Sequence, residues 1–110
     1  MLVVHHLNNS RSQRILWLLE ELELPYEIRF YKRDPKTMLA PPELKRVHPL
    51  GKAPVLVDGD VVLPESGAII EYILNRYGNG RLMPAEETCD WVRFVFWLHY
   101  AEGSAMPPLL

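Results

Sequence analysis

The stretch 51–67 constrains the fold of this 110-residue chain more than any other part of it. Two short runs rich in β-branched residues flank Asp58 and Gly59, a dipeptide typical of the turn in an antiparallel hairpin. Beyond the second run, Ser66 precedes apolar residues that recur at helical spacing as far as Tyr77. The pattern predicts a tight β-hairpin that leads directly into a helix.

The two ends of the predicted hairpin carry groups suited to ligand binding. A helix that begins at Ser66 offers unpaired backbone N–H groups to an anion, and Glu65 beside it can accept a hydrogen bond from an amine. The pair suits the α-amino-acid end of a small peptide. At the other end, Pro54 has no N–H, so it must begin a strand or lie at an edge. A cis bond before it would turn the backbone of Ala53 outward to pair with a peptide, whereas a trans bond would make an ordinary strand start.

Four further segments precede the hairpin. Residues 2–4 form an apolar strand, and residues 11–23 carry a wide apolar face at helical spacing. Residues 26–30 alternate apolar and polar side chains, which predicts a half-buried strand, and residues 41–47 predict a short helix that begins at proline. The order β-α-β-α-β-β-α predicts an α/β fold with a four-stranded mixed sheet and a right-handed parallel crossover at its start.

The C-terminal part of the chain reads as a separate segment. Glycines stop the helix that follows the hairpin, a short linker comes next, and residues 86–101 predict another helix. Its apolar side chains surround most of the cylinder, so we expect neighbouring elements to bury it. The predicted domains are therefore residues 1–80 and residues 81–110.

Composition excludes several classes of function. The net charge of −2 gives no electrostatic basis for binding nucleic acid or an anionic membrane. No apolar run approaches the roughly 20 residues of a membrane span, so we expect a cytoplasmic protein. Cys89 is the one cysteine, which excludes an internal disulfide. His5 and His6 are neighbours on a strand and point to opposite faces, so we predict no metal site there.

Three short motifs lie in the hairpin and just before it: His48-Pro-Leu-Gly-Lys-Ala-Pro54, Asp58-Gly-Asp60 and Leu63-Pro-Glu-Ser66. Together they resemble the glutathione-binding half of glutathione transferases, and they are most similar to the bacterial, fungal and theta-like branches. The resemblance implies a thioredoxin-like fold, followed by the first helix of an all-helical second domain. Because the rest of that second domain is absent, the resemblance implies a fragment or a truncated form.

The resemblance also implies a glutathione site. Its residues would be Lys52, Ala53, Pro54, Glu65, Ser66 and His48. Ala53 would pair with the cysteinyl part in a geometry that Pro54 holds, and Glu65 and Ser66 would bind the γ-glutamyl amine and carboxylate. Lys52 would meet the glycyl carboxylate, with His48 standing where relatives often have Asn. Glutathione would be a co-substrate, with no metal and no further cofactor.

The family's reaction needs a thiolate. A free thiol has a pKa of about 8.5, so only a small fraction of it is ionised at neutral pH. Relatives keep a Tyr, Ser, Cys or Asn at the first strand–helix turn to stabilise it. Ser10 is our first candidate, although with Gln13 it also matches a capping box that would occupy its hydroxyl. Asn9 is the second candidate, and Ser12 or backbone N–H groups stay open.

The expected activity is attack of the glutathione thiolate on a small hydrophobic electrophile, as in detoxification. A glutathione-dependent peroxidase or disulfide reductase is one alternative. A non-catalytic thioredoxin-like module that binds glutathione or a protein is another, as is a structural subunit completed by a second chain. The resemblance implies a homodimer for the full-length form.

Overall fold

The structure is a computed structural model that describes residues 1–8 and 10–105. It comprises two compact units, of which the first is Met1–Ile70 and the second begins at Glu71. The strands are β1 (Leu2–Leu7), β2 (Tyr26–Tyr31), β3 (Val55–Asp58) and β4 (Val61–Pro64). The helices are α1 (Ser12–Glu21), α2 (Leu44–Val47), α3 (Ser66–Tyr77) and α4 (Cys89–Tyr100), and a π-helical turn over Ala101–Ala105 follows α4.

The four strands form one mixed sheet in the order β2-β1-β3-β4. β1 and β2 are parallel, as the connection through α1 requires, and β3 runs antiparallel to both β1 and β4. Gly59 and Asp60 join β3 to β4, and Gly59 takes a φ of 61°, which glycine adopts without a steric penalty. The predicted hairpin and the predicted four-stranded mixed sheet are both confirmed.

The core of the first unit is made by the sheet, α1, α2 and the start of α3. Its buried apolar residues are Leu2, Val4, Leu7, Ile15, Leu18, Leu19, Leu22, Leu44, Val55, Leu56 and Ile69. Ser12 lies on the same stripe of α1 as Ile15 and Leu19, and it is equally buried, at 0% exposure. A polar side chain in that position must find its hydrogen bonds inside the protein.

Helix α1 is shorter than predicted, and its predicted capping box is wrong. The N-cap residue is Arg11, whose side chain makes no capping hydrogen bond. Ser10 Oγ instead accepts from the N–H of Ser12, 3.2 Å away, which closes a local turn before the helix begins. At the other end Glu23 has a φ of 55°, which ends the helix at Glu21 rather than two residues later.

Two other helices also begin later than the sequence predicts. Residues 41–47 open with backbone bonds of the i→i+3 type, including Leu44 N–H to Pro41 O at 3.2 Å, before one turn of α2. Helix α4 begins at Cys89 because Thr88 caps it, with Thr88 Oγ1 accepting from the N–H of Trp91 at 3.2 Å.

Helix α4 presents an aromatic surface, and none of its residues is buried. Phe96, Trp97 and Tyr100 are 58%, 60% and 38% exposed, and their ring centroids lie 4.9–6.0 Å apart. Within the described residues no helix combines the length and the apolar character needed to cross a bilayer.

Candidate functional site

Three segments of the first unit converge at one edge of the sheet. In the strand register His5 lies opposite Val55, and Val55 lies opposite Pro64. The C-terminal end of β1, the N-terminal end of β3 and the C-terminal end of β4 therefore meet at the same edge. Because adjacent strands are about 4.8 Å apart, the turn after β1, residues 53–54 and residues 65–66 lie side by side in that order.

The segment before β3 settles which of the two forms of the bond before Pro54 is present. The Ala53–Pro54 peptide bond is cis, and Pro54 is buried at the start of the strand. Lys52 is exposed beside them. Gly51 precedes it with a φ of 62°, and a Cβ there would come within 2.7 Å of Lys45 Cγ, so the turn that presents Lys52 favours glycine.

His48 is already engaged in the turn before Gly51. Its Nδ1 accepts from the N–H of Leu50 at 3.2 Å, and its carbonyl accepts from the N–H of Gly51 at 2.9 Å. The Nδ1 atom therefore carries the lone pair, which leaves Nε2 as the N–H that can reach a ligand.

The segment after β4 brings Glu65 to the surface. Glu65 is exposed and has a φ of 77°, a conformation that costs a residue with a side chain roughly 1–3 kcal/mol. Its carbonyl accepts the N–H of Ile69 at 2.9 Å, which starts α3. Ser66, the first residue of α3, is 5% exposed, so the helix N-terminus rather than a protruding hydroxyl faces this edge.

The turn between β1 and α1 is closed by side-chain hydrogen bonds. Ser10 Oγ donates to the carbonyl of Leu7 at 2.6 Å, and it contacts Ser12 Oγ. Ser12 Oγ lies 2.7 Å from His6 Nδ1 and accepts from the N–H of Leu7 at 3.3 Å. Asn9, the second candidate for thiol activation, lies outside the described residues.

Ser12 was an open candidate for thiol activation, but its contact with His6 was not predicted from the sequence. The one available signal was position, because Ser12 lies three and seven residues before Ile15 and Leu19 on the apolar stripe of α1. A hydroxyl at a buried stripe position implies a partner on the facing strand. The half-buried His6 provides that partner.

The contacts of Arg33 at the same edge of the sheet were also not predicted. The backbone N–H of Arg33 donates to Asn8 Oδ1 at 3.2 Å, and its Nε donates to the carbonyl of Asn8 at 3.0 Å. Its Nη1 reaches the carbonyl of Met38 at 3.0 Å. Arg33 thus ties the loop after β2 to the turn after β1.

His5 faces the opposite side of the sheet from His6, as predicted. Its Nδ1 lies 2.8 Å from the hydroxyl of Tyr31. Burial, and then the charge of Arg29, lower the pKa of His5 below its ordinary value. No cluster of three or more His, Cys, Asp or Glu side chains in the described part of the chain is arranged to hold a metal ion.

The fold and the edge described above define a thioredoxin-like domain. The family model for the N-terminal domain of glutathione S-transferases matches residues 1–75. The chain therefore belongs to the glutathione S-transferase family.

Individual relatives agree with this assignment. Glutathione S-transferase 3 of Schizosaccharomyces pombe is 44% identical over 107 residues, which are 97% of this chain and 43% of the relative. The crystal structure of a glutathione S-transferase from Actinobacillus pleuropneumoniae is 48% identical, with a TM-score of 0.88 over 93% of this chain and 48% of that one. The glutathione transferase URE2P8 from Phanerochaete chrysosporium, solved with oxidized glutathione, is 27% identical, with a TM-score of 0.81 over 96% of this chain and 50% of that one. The chain spans about half the length of these proteins.

Proposed function

We propose that this chain binds glutathione at the sheet edge formed by the turn after β1, residues 53–54 and residues 65–66, and activates its thiol for attack on a small hydrophobic electrophile. The observation that carries the proposal is the convergence of these three segments in strand register. They place a bent backbone, a helix N-terminus and a strand–helix turn at one edge.

The size of the edge fits a tripeptide. The distance from β1 to β4, with β3 between them, is two strand spacings, or about 10 Å. A three-residue peptide spans about 10 Å when extended, at roughly 3.3–3.6 Å per residue. A peptide bound across the edge would therefore reach both the N-terminus of α3 at Ser66 and the turn that carries Ser10. Family membership favours glutathione as that peptide.

The charges along the edge match the two ends of glutathione. The exposed carboxylate of Glu65 would take the γ-glutamyl ammonium, and the backbone N–H groups at the start of α3, with Ser66, would take the neighbouring carboxylate. Lys52 would pair with the glycyl carboxylate, assisted by the Nε2–H of His48. Ala53 would hydrogen-bond to the cysteinyl backbone, held in place by Pro54.

The sulfur would then lie at the turn between β1 and α1. Ser10, our first candidate for activating the thiol, supplies a hydroxyl there, and Asn9 is the second. A hydrogen bond to the thiolate lowers the pKa of the thiol because it stabilises the charged form. The thiolate attacks the electrophilic carbon, an S–C bond forms, and the leaving group departs with its electron pair. Glutathione is thus a co-substrate, and the protein supplies binding and orientation.

A calorimetric titration of the 110-residue chain with glutathione tests the site. Glu65→Gln should weaken binding by roughly 10- to 100-fold, because a hydrogen bond to a charged group contributes roughly 1.5–3 kcal/mol. Asp60→Asn, the same change of charge in the exposed turn of the hairpin, should leave the affinity within about twofold, since surface changes away from the site have small effects. Circular dichroism would verify that both variants are folded.

A conjugation assay with an aromatic electrophile would separate the enzyme from its alternatives. Turnover of glutathione supports the transferase. Binding without turnover would favour a non-catalytic module, and turnover with peroxides or disulfides alone would favour a reductase. A folded chain that binds no glutathione would contradict the proposal. The homodimer and the cytoplasmic location remain proposals for the full-length form, and size-exclusion chromatography and cell fractionation test them.

A further inference from the structure

One direction of the hydrogen bonds around Ser10 and Ser12 satisfies their three shortest contacts, and it leaves the longer contact of Ser12 Oγ with the carbonyl of Leu7, at 3.3 Å, without a hydrogen. The carbonyl of Leu7 carries no hydrogen, so at 2.6 Å the hydroxyl of Ser10 must be the donor. The contact between the two serine oxygens then needs the hydrogen of Ser12. With that hydrogen used, the 2.7 Å contact between Ser12 Oγ and His6 Nδ1 needs a hydrogen on His6. The chain of donors runs from His6 to Ser12 to Ser10.

This arrangement fills every acceptor position of both hydroxyls. Ser12 Oγ accepts from His6 Nδ1–H and from the N–H of Leu7. Ser10 Oγ accepts from the hydroxyl and from the backbone N–H of Ser12. A serine oxygen has one hydrogen and two lone pairs. Ser10 therefore has only its hydrogen with which to meet an outside group.

We propose that His6 and Ser12 are positioning residues that make Ser10 a pure hydrogen-bond donor toward the glutathione sulfur. The inference rests on the proposed function. A thiol that approaches Ser10 as a donor finds both lone pairs occupied, whereas a thiolate, an acceptor, finds a hydrogen. The thiol proton leaves to solvent, and no covalent bond to the protein forms.

The series of hydrogen bonds from His6 through Ser12 also makes Ser10 a stronger hydrogen-bond donor. A hydroxyl that accepts hydrogen bonds while it donates is polarised, so each member of the chain raises the donor strength of the next. Without glutathione, the hydroxyl of Ser10 donates its hydrogen to the neutral carbonyl of Leu7, the last residue of β1. Hydrogen bonds to charged acceptors are roughly twice as strong as neutral ones, so the thiolate competes for that hydrogen, fully or as a shared acceptor.

The test is a pH titration of glutathione bound to the 110-residue chain, with thiolate followed by its ultraviolet absorbance and affinity measured in parallel. His6→Leu and Ser12→Ala should each lower the thiolate fraction at neutral pH about fivefold, the equivalent of one lost hydrogen bond. His6→Asn places an amide N–H near the position of Nδ1, so it should restore the fraction to within about twofold. The matched control is His5→Leu, the same substitution on the opposite face, which should change nothing.

The outcomes separate this inference from the proposed function. Should folded His6→Leu and Ser12→Ala variants bind glutathione with the wild-type thiolate fraction, the positioning role is wrong while the glutathione site stands. Loss of affinity with an unchanged thiol pKa would mark a purely structural role and would also overturn the inference. The same holds if His6→Asn behaves like His6→Leu, or if Ser10→Ala keeps the wild-type fraction. A wild-type chain that binds no glutathione overturns both proposals.

Discussion

Helices α1 and α4 have similar lengths and similarly broad apolar faces, but they meet opposite environments. In α1 the stripe through Ile15 and Leu19 is fully buried, and even Ser12 on that stripe is removed from solvent. In α4 no residue is buried, and three aromatic rings contact one another at the surface. An amphipathic pattern thus indicates that a helix has an apolar face. It does not indicate whether other residues of this chain bury that face.

The two helices also differ in how they begin. α4 starts at a local signal, the side-chain cap of Thr88, whereas the N-cap residue of α1 makes no capping hydrogen bond. The start of α1 is fixed from outside the helix, because His6 on β1 holds the hydroxyl of Ser12. We infer that packing on the sheet stabilises α1 and that local interactions stabilise α4.

The largest effect on stability should come from truncating a buried side chain on the apolar stripe of α1. Ile15→Ala removes a fully buried side chain and should lower the free energy of unfolding by about 2–5 kcal/mol, the usual cost of such a cavity. Phe96→Ala, on the exposed face of α4, should change it by no more than about 0.5 kcal/mol. Urea denaturation followed by circular dichroism measures both. Equal losses would show that α4 is as tightly packed as α1.

A smaller effect should come from the cap of α4. Thr88→Ala removes the oxygen that accepts from Trp91 N–H and should destabilise the first turn of α4 by about 1 kcal/mol. Hydrogen exchange of the backbone N–H groups in that turn measures this local loss. Thr88→Ser keeps the hydroxyl and serves as the control. Unchanged protection in Thr88→Ala would mean that the start of α4 is fixed by something other than its cap.

The smallest effect concerns His5, on the side of the sheet opposite Ser12. Burial, and then Arg29, lower the pKa of this imidazole, so the unfolded chain takes up a proton more readily than the folded one. Its contribution to stability is present above the ordinary value of 6.5 and is lost as the pH falls below it. NMR titration of the ring protons measures the pKa of His5. A value at or above the ordinary one would contradict the assigned environment.

Much of the fold followed from the sequence because its signals are local and repeated. Alternation predicted β2, and helical spacing predicted α1 and α3. The turn residues Asp58 and Gly59 predicted the hairpin. The cis bond before Pro54 was one of two forms that the sequence left open, since most bonds before proline are trans. The start of α1 was predicted wrongly, because a hydroxyl such as that of Ser10 can cap a helix or close a turn.

The rest of the candidate site depends on which segments meet. The alignment of residues 53–54 with residues 65–66 is a matter of strand register, which the turn length sets and the hydrophobic pattern alone does not. The contact between His6 and Ser12 joins a strand to the helix after it, and no periodicity marks it. The positive φ of Glu65 is equally invisible in the sequence, because residues with side chains seldom adopt it.

A crystal structure of the 110-residue chain with glutathione tests the central claim most directly. We predict the cysteinyl backbone hydrogen-bonded to Ala53, the γ-glutamyl ammonium on the Glu65 carboxylate, and the sulfur within hydrogen-bonding distance of the turn that carries Ser10. Glutathione bound at another surface, or bound at this edge with its sulfur turned away from that turn, would contradict the account.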